Sequence, residues 1–336
     1  MISIQPLFAK LLNKLIKIKN KIKSSRISVI LPAFNEELTI KQCIVAFHKA
    51  LPEAHIWIIN NNSFDDTEFI ARATLTKLKC NGGIINEARQ GKGNALRRAF
   101  YELDSEYYVL CDADLTYPIG LTRELLKPVL DNLADMVVGD RHTLGKYAYK
   151  NQRAFHSFGN ILVRFLVNRL FKANLVDIMS GFRAFNRKFV KNYPILVGGF
   201  EIETDMTLHA LDKRLRIIEI PIDYKERPLG SYSKLNTVSD GAKVIFTIFR
   251  ILRYYKPLIF FGVFALILSL LGLILGFPVI LEWLRFDYIK HIPLAILSTG
   301  LEIISALLLG IGLILDSIAY HEKALFEREN LRSHQK

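Results

Sequence analysis

Apolar positions along the chain follow three different patterns. In residues 1–25 they recur at helical spacing: Leu7, Leu11, Leu15, Ile18 and Ile22 in steps of four or three, widened by Phe8, Leu12 and Ile16. Lys10, Lys14, Lys17 and Lys21 fall on the opposite side, which predicts a basic amphipathic helix lying in a membrane surface. Lys19 and Lys23 spoil the stripe at its end, and Lys10, Lys14 and Lys17 interrupt any signal-peptide core. In residues 26–236 the pattern changes to short apolar runs at 27–31, 56–59, 107–110 and 136–138, separated by longer stretches. Helices are expected to start near Glu37 and Asp66. Such alternation predicts an α/β domain with a mainly parallel, Rossmann-like sheet covered on both faces. Ligands in that architecture bind where strands end at their C-terminal edge.

The third pattern is continuous. Residues 258–281 carry no charge and 293–315 carry only Glu302, so each is long enough to cross a bilayer. The expected arrangement is an interfacial helix at 237–257, two transmembrane helices within 258–318 joined by a loop at 282–292, and a basic tail at 319–336. Arg250, Arg253 and Lys256 precede the first span, and Lys323, Arg328, Arg332 and Lys336 follow the second. That flanking charge predicts that both termini and the α/β domain are cytoplasmic. Glu302 lies within reach of Ser298 or Ser305 and receives no role.

Charge sharpens the membrane reading. Lys and Arg number 45 against 32 Asp and Glu, a formal net charge of +13. The basic residues cluster in the first 26 positions and beside the C-terminal apolar segments. No zinc-finger spacing or RNP-like aromatic motif accompanies them, so the anionic partner is membrane lipid rather than nucleic acid. Cys43, Cys80 and Cys111 are odd in number and lack CxxC spacing, and read as reduced, mostly buried thiols.

The candidate chemistry begins where the run at 107–110 ends, in Cys111-Asp112-Ala113-Asp114. Alternate residues of an extended chain share a face, so both carboxylates can reach one cation. Two hard oxygen ligands, completed by water and diphosphate, suit Mg²⁺ or Mn²⁺. Gly91-Lys92-Gly93 is expected to open a helix whose N–H groups, with Lys92, face phosphate. It lacks the glycine spacing and Lys-[Ser/Thr] pair of a P-loop.

These motifs belong to an ordered series. It begins with Leu31-Pro32-Ala33-Phe34-Asn35-Glu36-Glu37, Asn60-Asn61-Asn62-Ser63-Phe64-Asp65-Asp66-Thr67, Gly91-Lys92-Gly93-Asn94-Ala95 and Asp112-Ala113-Asp114-Leu115-Thr116-Tyr117-Pro118. Together these resemble the family 2 glycosyltransferases with the GT-A fold. Gly139-Asp140-Arg141, Asp177-Ile178-Met179-Ser180-Gly181-Phe182-Arg183, Gly199-Phe200-Glu201-Ile202-Glu203-Thr204-Asp205 and Arg227-Pro228-Leu229-Gly230-Ser231-Tyr232-Ser233-Lys234 follow. They are similar to the dolichol-phosphate mannose synthase branch, which includes bacterial polyprenyl-phosphate glycosyltransferases.

The resemblance implies a nucleotide-base pocket at Pro32, Ala33, Phe34, Asn35 and Glu36, with Asn61, Asp65, Lys92, Asp112 and Ala113 also on the donor. The family's second motif usually offers Asp where this chain has Asn60 and Asn61, and Asp65 can equally cap the next helix. The metal falls to Asp112 and Asp114, and catalysis to Asp114 and Arg141. Arg141, Arg153, Arg227 and Lys234 would hold the acceptor phosphate, with 227–234 resembling a closing loop. A lipid phosphate is already ionised at neutral pH and requires no general base. For Glu203 and Asp205, pairing with Arg183 and a catalytic role both stay open.

The implied activity is inverting transfer of a hexose from a UDP- or GDP-sugar to undecaprenyl or dolichyl phosphate at the cytosolic membrane face. The alternative acceptor is another membrane molecule, such as diacylglycerol or a growing polysaccharide, although the processive Gln-x-x-Arg-Trp motif is not present. A catalytically silent scaffold is the third reading, and the intact carboxylate pair argues against it. Two spans are too few for a self-contained flippase, so a separate flippase and a homo-oligomer built through the spans complete the expected partners.

Overall fold

The computed structural model describes residues 27–144, 154–199, 201–225, 227 and 240–333. The predicted helix at 1–25, Arg153 and Lys234 lie outside them. The chain divides into two compact units, one holding the residues up to 157 together with 167–236, the other holding 158–166 and everything from 237 onward.

In the first unit, β1 (Ile27–Ala33), β2 (His55–Asn60), β3 (Gly82–Asn86), β4 (Tyr107–Leu110), β5 (Met136–Asp140), β6 (Arg183–Asn186) and β7 (Ile217–Pro221) form one sheet. Its order is β3-β2-β1-β4-β6-β5-β7. All neighbours are parallel except those of β6, which runs antiparallel to both β4 and β5. The helices are α1 (Ile40–Ala50), α2 (Thr67–Leu78), α3 (Lys92–Glu102), α4 (Thr122–Leu130), α5 (Ala154–Phe171), α6 (Arg187–Asn192) and α7 (Ile202–Asp212). Helix α5 contributes residues to both units.

The central strands read as unbroken apolar runs because both faces are covered. Val29, Val109, Ala184 and Val137 lie in one row of the register and join the main core cluster with Ile44, Phe47 and Leu126. Tyr108, Phe185 and Met136, displaced by one residue, point to the other face and are also buried. There Phe185 stacks on Phe189 with centroids 4.7 Å apart and meets Phe100 edge-on. Burying each such side chain contributes about 2–3 kcal/mol. Strand order reverses between β1 and β4, which opens a crevice at their C-terminal ends. The motifs that begin in β1 and follow β4 are thereby placed on one edge.

The second unit contains α8 (Asp240–Tyr255), α9 (Pro257–Phe286) and α10 (Ile292–Ser333). Helices α9 and α10 are long and apolar enough to cross a membrane, and little of either is buried. The predicted loop at 282–292 is shorter than expected, because α9 continues through Phe286 and α10 starts at Ile292. The two helices meet along small residues. Ser305 Oγ donates to the Ala265 carbonyl at 2.8 Å, and Ser269 Oγ donates to Glu302 Oε2 at 2.9 Å. A Cβ on Gly272 would lie 2.7 Å from Glu302 Oε1 and one on Gly276 would lie 2.5 Å from Ser298 Oγ. Glu302 therefore sits against Ser269 rather than Ser298 or Ser305, at a contact that small side chains make possible.

Candidate active site

The loops after β1 and β2 are stitched to each other. Asn35, at φ 52°, accepts from the Phe64 N–H through Oδ1, and its own N–H donates to Ser63 Oγ. The Glu36 N–H donates to Thr67 Oγ1, and Glu36 Oε2 accepts from Thr39 Oγ1. Asp65 accepts from the Glu37 N–H on one oxygen and from both Thr67 N–H and Thr67 Oγ1 on the other. Its visible work is thus to tie the loop together at the start of α2. Phe34 meets Phe64 edge-on, with centroids 6.0 Å apart, and Phe64 is largely exposed.

Asn61 is buried and committed to the scaffold. Its Nδ2 donates to the Glu87 and Arg89 carbonyls and its Oδ1 accepts from the Gly91 N–H at 2.7 Å. One lone pair of Oδ1 is left for a ligand N–H. Gly91 has φ 124°, and a Cβ there would lie 2.1 Å from the Gly198 carbonyl oxygen. The Gly93 N–H donates to that same oxygen. Two amides expected to face phosphate are therefore already engaged within the protein.

Asp112 and Asp114 follow β4 in a turn whose next residue, Leu115, has φ 61°. Asp114 is buried, with Oδ1 accepting from the Thr116 N–H and Oγ1 and Oδ2 ion-paired to Arg227 at 2.8 Å. Burial pushes its carboxyl above the usual range, the charge of Asp112 adds to that, and Arg227 opposes both. Asp112 is ion-paired to Lys92, which also pairs with Glu203. Burial disfavours the Lys92 ammonium, yet Asp112 and Glu203 together raise its pKa above the ordinary value. Ala113 is buried between the two carboxylates in sequence and belongs to the core.

Among the described residues no three His, Cys, Asp or Glu side chains are grouped to hold a metal ion. The carboxylate pair alone offers two hard oxygen ligands, a set that suits a small divalent cation whose other ligands come from diphosphate and water. The cradle is tight: a Cβ on Gly181 would lie 2.6 Å from Asp112 Oδ2 and 3.0 Å from Lys92 Nζ. Gly181→Ala is expected to lower kcat/KM about tenfold, which corresponds to ~1.4 kcal/mol. Its melting temperature should stay near the wild-type value, so comparing rates and melting curves checks that the effect is local.

Arg141 extends from the end of β5 and is gripped by Asp177, Nε to Oδ2 at 2.7 Å and Nη2 to Oδ1 at 3.0 Å. Its guanidinium also lies 5.5 Å from the centre of the Tyr224 ring. Burial opposes ionisation of Asp177, but Arg141 outweighs it and holds the carboxyl below the ordinary range. Glu219 of β7 fixes the Asp177 loop by accepting from the Val176 and Asp177 N–H groups.

Arg183 differs from the expected carboxylate pairing. Fully buried, it donates to the Ser180 and Ile178 carbonyls at 2.7 and 2.8 Å and to Thr207 Oγ1 at 2.9 Å. Glu203 bonds to Lys92 instead, and Asp205 accepts from the Tyr193 hydroxyl at 2.7 Å. Tyr117 is a contributor that the motif reading missed: its hydroxyl accepts from the Gly181 N–H, and its ring contacts Phe182 and Tyr224. Its place directly before Pro118 in the carboxylate motif was the available signal.

Comparison with known proteins identifies the family. The sequence profile described as "Glycosyl transferase family 2" matches residues 28–193. Glycosyltransferase AglJ of Haloferax volcanii is 26% identical over 311 residues, covering 91% of this chain and 98% of that protein. Undecaprenyl-phosphate mannosyltransferase of Micrococcus luteus is 27% identical, covering 66% of this chain and 91% of its own. Glucosyl-3-phosphoglycerate synthase of Mycobacterium tuberculosis, crystallised with Mn²⁺, UDP and phosphoglyceric acid, superposes with a TM-score of 0.52 at 22% identity. That superposition covers 68% of this chain and 80% of the other, and supports the GT-A fold. The chain is a glycosyltransferase of family 2, with the GT-A fold, in the branch that resembles dolichol-phosphate mannose synthase.

Proposed function

We propose that this glycosyltransferase moves a hexose from a UDP- or GDP-linked sugar to a polyprenyl phosphate, with inversion, at the cytosolic face of a membrane. The observation that carries the reading is the meeting of Asp112 and Asp114 with Lys92 and Arg227 after β4, where strand order reverses. Undecaprenyl-phosphate mannosyltransferase among the relatives, and two helices apolar enough to cross a bilayer, support a lipid phosphate acceptor.

In this reading the loops containing Phe34, Asn35, Glu36, Asn61 and Asp65 frame the nucleoside. Asn61 offers its remaining lone pair to a base N–H. Asp112 and Asp114 would hold Mg²⁺ or Mn²⁺, which neutralises charge on the departing nucleoside diphosphate when bound. Lys92 and Arg227 are the cations placed to contact the diphosphate or the acceptor phosphate. Arg141, oriented by Asp177 and Tyr224, presents a pre-set guanidinium to the ionised acceptor. Arg153 and Lys234 would add to that cationic side. No side chain has to remove a proton from such an acceptor. Helices α9 and α10 would anchor the catalytic unit with both termini cytoplasmic, and a separate flippase would move the product across.

Purified full-length protein in detergent or vesicles, given undecaprenyl phosphate, Mn²⁺ and labelled UDP- and GDP-hexoses in turn, should form an organic-extractable labelled lipid with one donor class. Label appearing only on diacylglycerol or polysaccharide in parallel incubations would overturn the acceptor assignment. No product from any donor would overturn the reading as a whole.

A further inference from the structure

Glu203, at the start of α7, is ion-paired to the Lys92 ammonium. Lys92 and Glu203 side chains are 7% and 8% exposed, so both charges are almost wholly withdrawn from water. Removing one partner of such a pair leaves a buried charge uncompensated, which costs far more than it would at the surface. The same ammonium bridges to Asp112. On the far side of the turn Arg227 pairs with Asp114. Each carboxylate assigned to a metal therefore already has its own cation.

This arrangement has a consequence for charge. Asp112, Asp114 and Glu203 carry three negative charges against two positive ones on Lys92 and Arg227. A divalent ion alone would meet only one net negative charge, with an ammonium already on one of its two ligands. A divalent ion arriving with a nucleoside diphosphate brings oxygens to which Lys92 can turn as it gives up Asp112. An ammonium already held against Asp112 repels a second cation at the same carboxylate.

We propose that Lys92, anchored by Glu203, is a resident placeholder cation on Asp112 that makes divalent-metal binding depend on the nucleoside diphosphate. Glu203 is then a positioning residue, and its carboxylate acts through Lys92 rather than on the substrate. This inference rests on the metal-and-diphosphate reading of the same site.

The test measures Mn²⁺ binding to the full chain by electron paramagnetic resonance of free Mn²⁺, with Mn²⁺ alone and with UDP or GDP added. Wild-type protein should bind Mn²⁺ at least tenfold more tightly with one of the nucleotides. Lys92→Gln should bind Mn²⁺ alone at least tenfold more tightly than wild type, because Asp112 is released and the site gains one net negative charge. Glu203→Gln should bind Mn²⁺ alone no more tightly than wild type, and Lys92→Arg should restore nucleotide dependence. Lys92→Met provides the same comparison should the glutamine variant fail to fold. Unchanged Mn²⁺ affinity without nucleotide in a folded neutral Lys92 variant overturns the placeholder. Asp114→Asn separates the two ideas: if it leaves Mn²⁺ binding intact with nucleotide present, the metal site itself is misassigned.

Discussion

Asp114→Asn is expected to reduce turnover about a thousandfold, in the range found when a group that stabilises developing transition-state charge is removed. The expectation follows from where Asp114 sits. It is buried at the end of β4, one of its oxygens is fixed by the Thr116 N–H and hydroxyl, and the other faces Arg227. An amide oxygen can keep both Thr116 hydrogen bonds, so the turn should hold its shape. What the amide cannot supply is an anionic ligand for a divalent cation or a charge partner for Arg227. The loss should therefore fall on rate, with melting temperature close to wild type. Initial rates of lipid-linked sugar formation, measured beside a melting curve, check both parts. A folded variant with wild-type turnover would remove Asp114 from the chemistry.

Arg183→Met is expected to cost about 3–5 kcal/mol of stability, since it leaves three buried acceptors without a donor at about 1–3 kcal/mol each. The guanidinium has no exposed surface, and three of its N–H groups hold the Ser180 and Ile178 carbonyls and the Thr207 hydroxyl. Methionine fills much of the volume but leaves those acceptors without donors in a dry interior. A fall of roughly 10 °C in the melting temperature of detergent-solubilised protein follows from that cost. Arg183→Lys should recover only part of it, because one ammonium cannot reproduce the planar fork. The same carbonyls shape the segment around Gly181, where an added Cβ would run into Asp112 and Lys92. Activity should therefore fall before unfolding begins. A melting temperature within 2 °C of wild type, in the sense of a shift of order 1 kcal/mol or less, would count against this role for Arg183.

Much of the fold was legible from hydrophobic periodicity. The runs at 27–31, 56–59, 107–110 and 136–138 became β1, β2, β4 and β5, because strands covered on both faces need apolar residues at consecutive positions. The uncharged stretches became α9 and α10, because their length and composition leave little choice. Strand β6 was not read as a strand. Its sequence, Arg-Ala-Phe-Asn, is short and begins with a charge, and only its place between β4 and β5 makes it one. The basic helix predicted at 1–25 falls outside the described residues.

In the candidate site, sequence order brought the right segments together but not the right partners. The motif series placed Asp112, Asp114 and Arg141 at strand ends and Lys92 at the opening of a helix, since turns after parallel strands are where the chain can present polar groups. It could not say that Lys92 would bridge Asp112 to Glu203, which lies 111 residues further on. Nor could it say that Arg183, beside the carboxylates of α7 in the motif series, would turn to backbone carbonyls instead. Pairings of that kind depend on which side chains face each other after the sheet has closed, and on which of them lose water. The sequence by itself determined the α/β architecture, the two long apolar helices and the types of group available at the sheet edge. Only the tertiary structure decided which cation each carboxylate keeps, because buried charge must find its partner in three dimensions, whatever the separation along the chain.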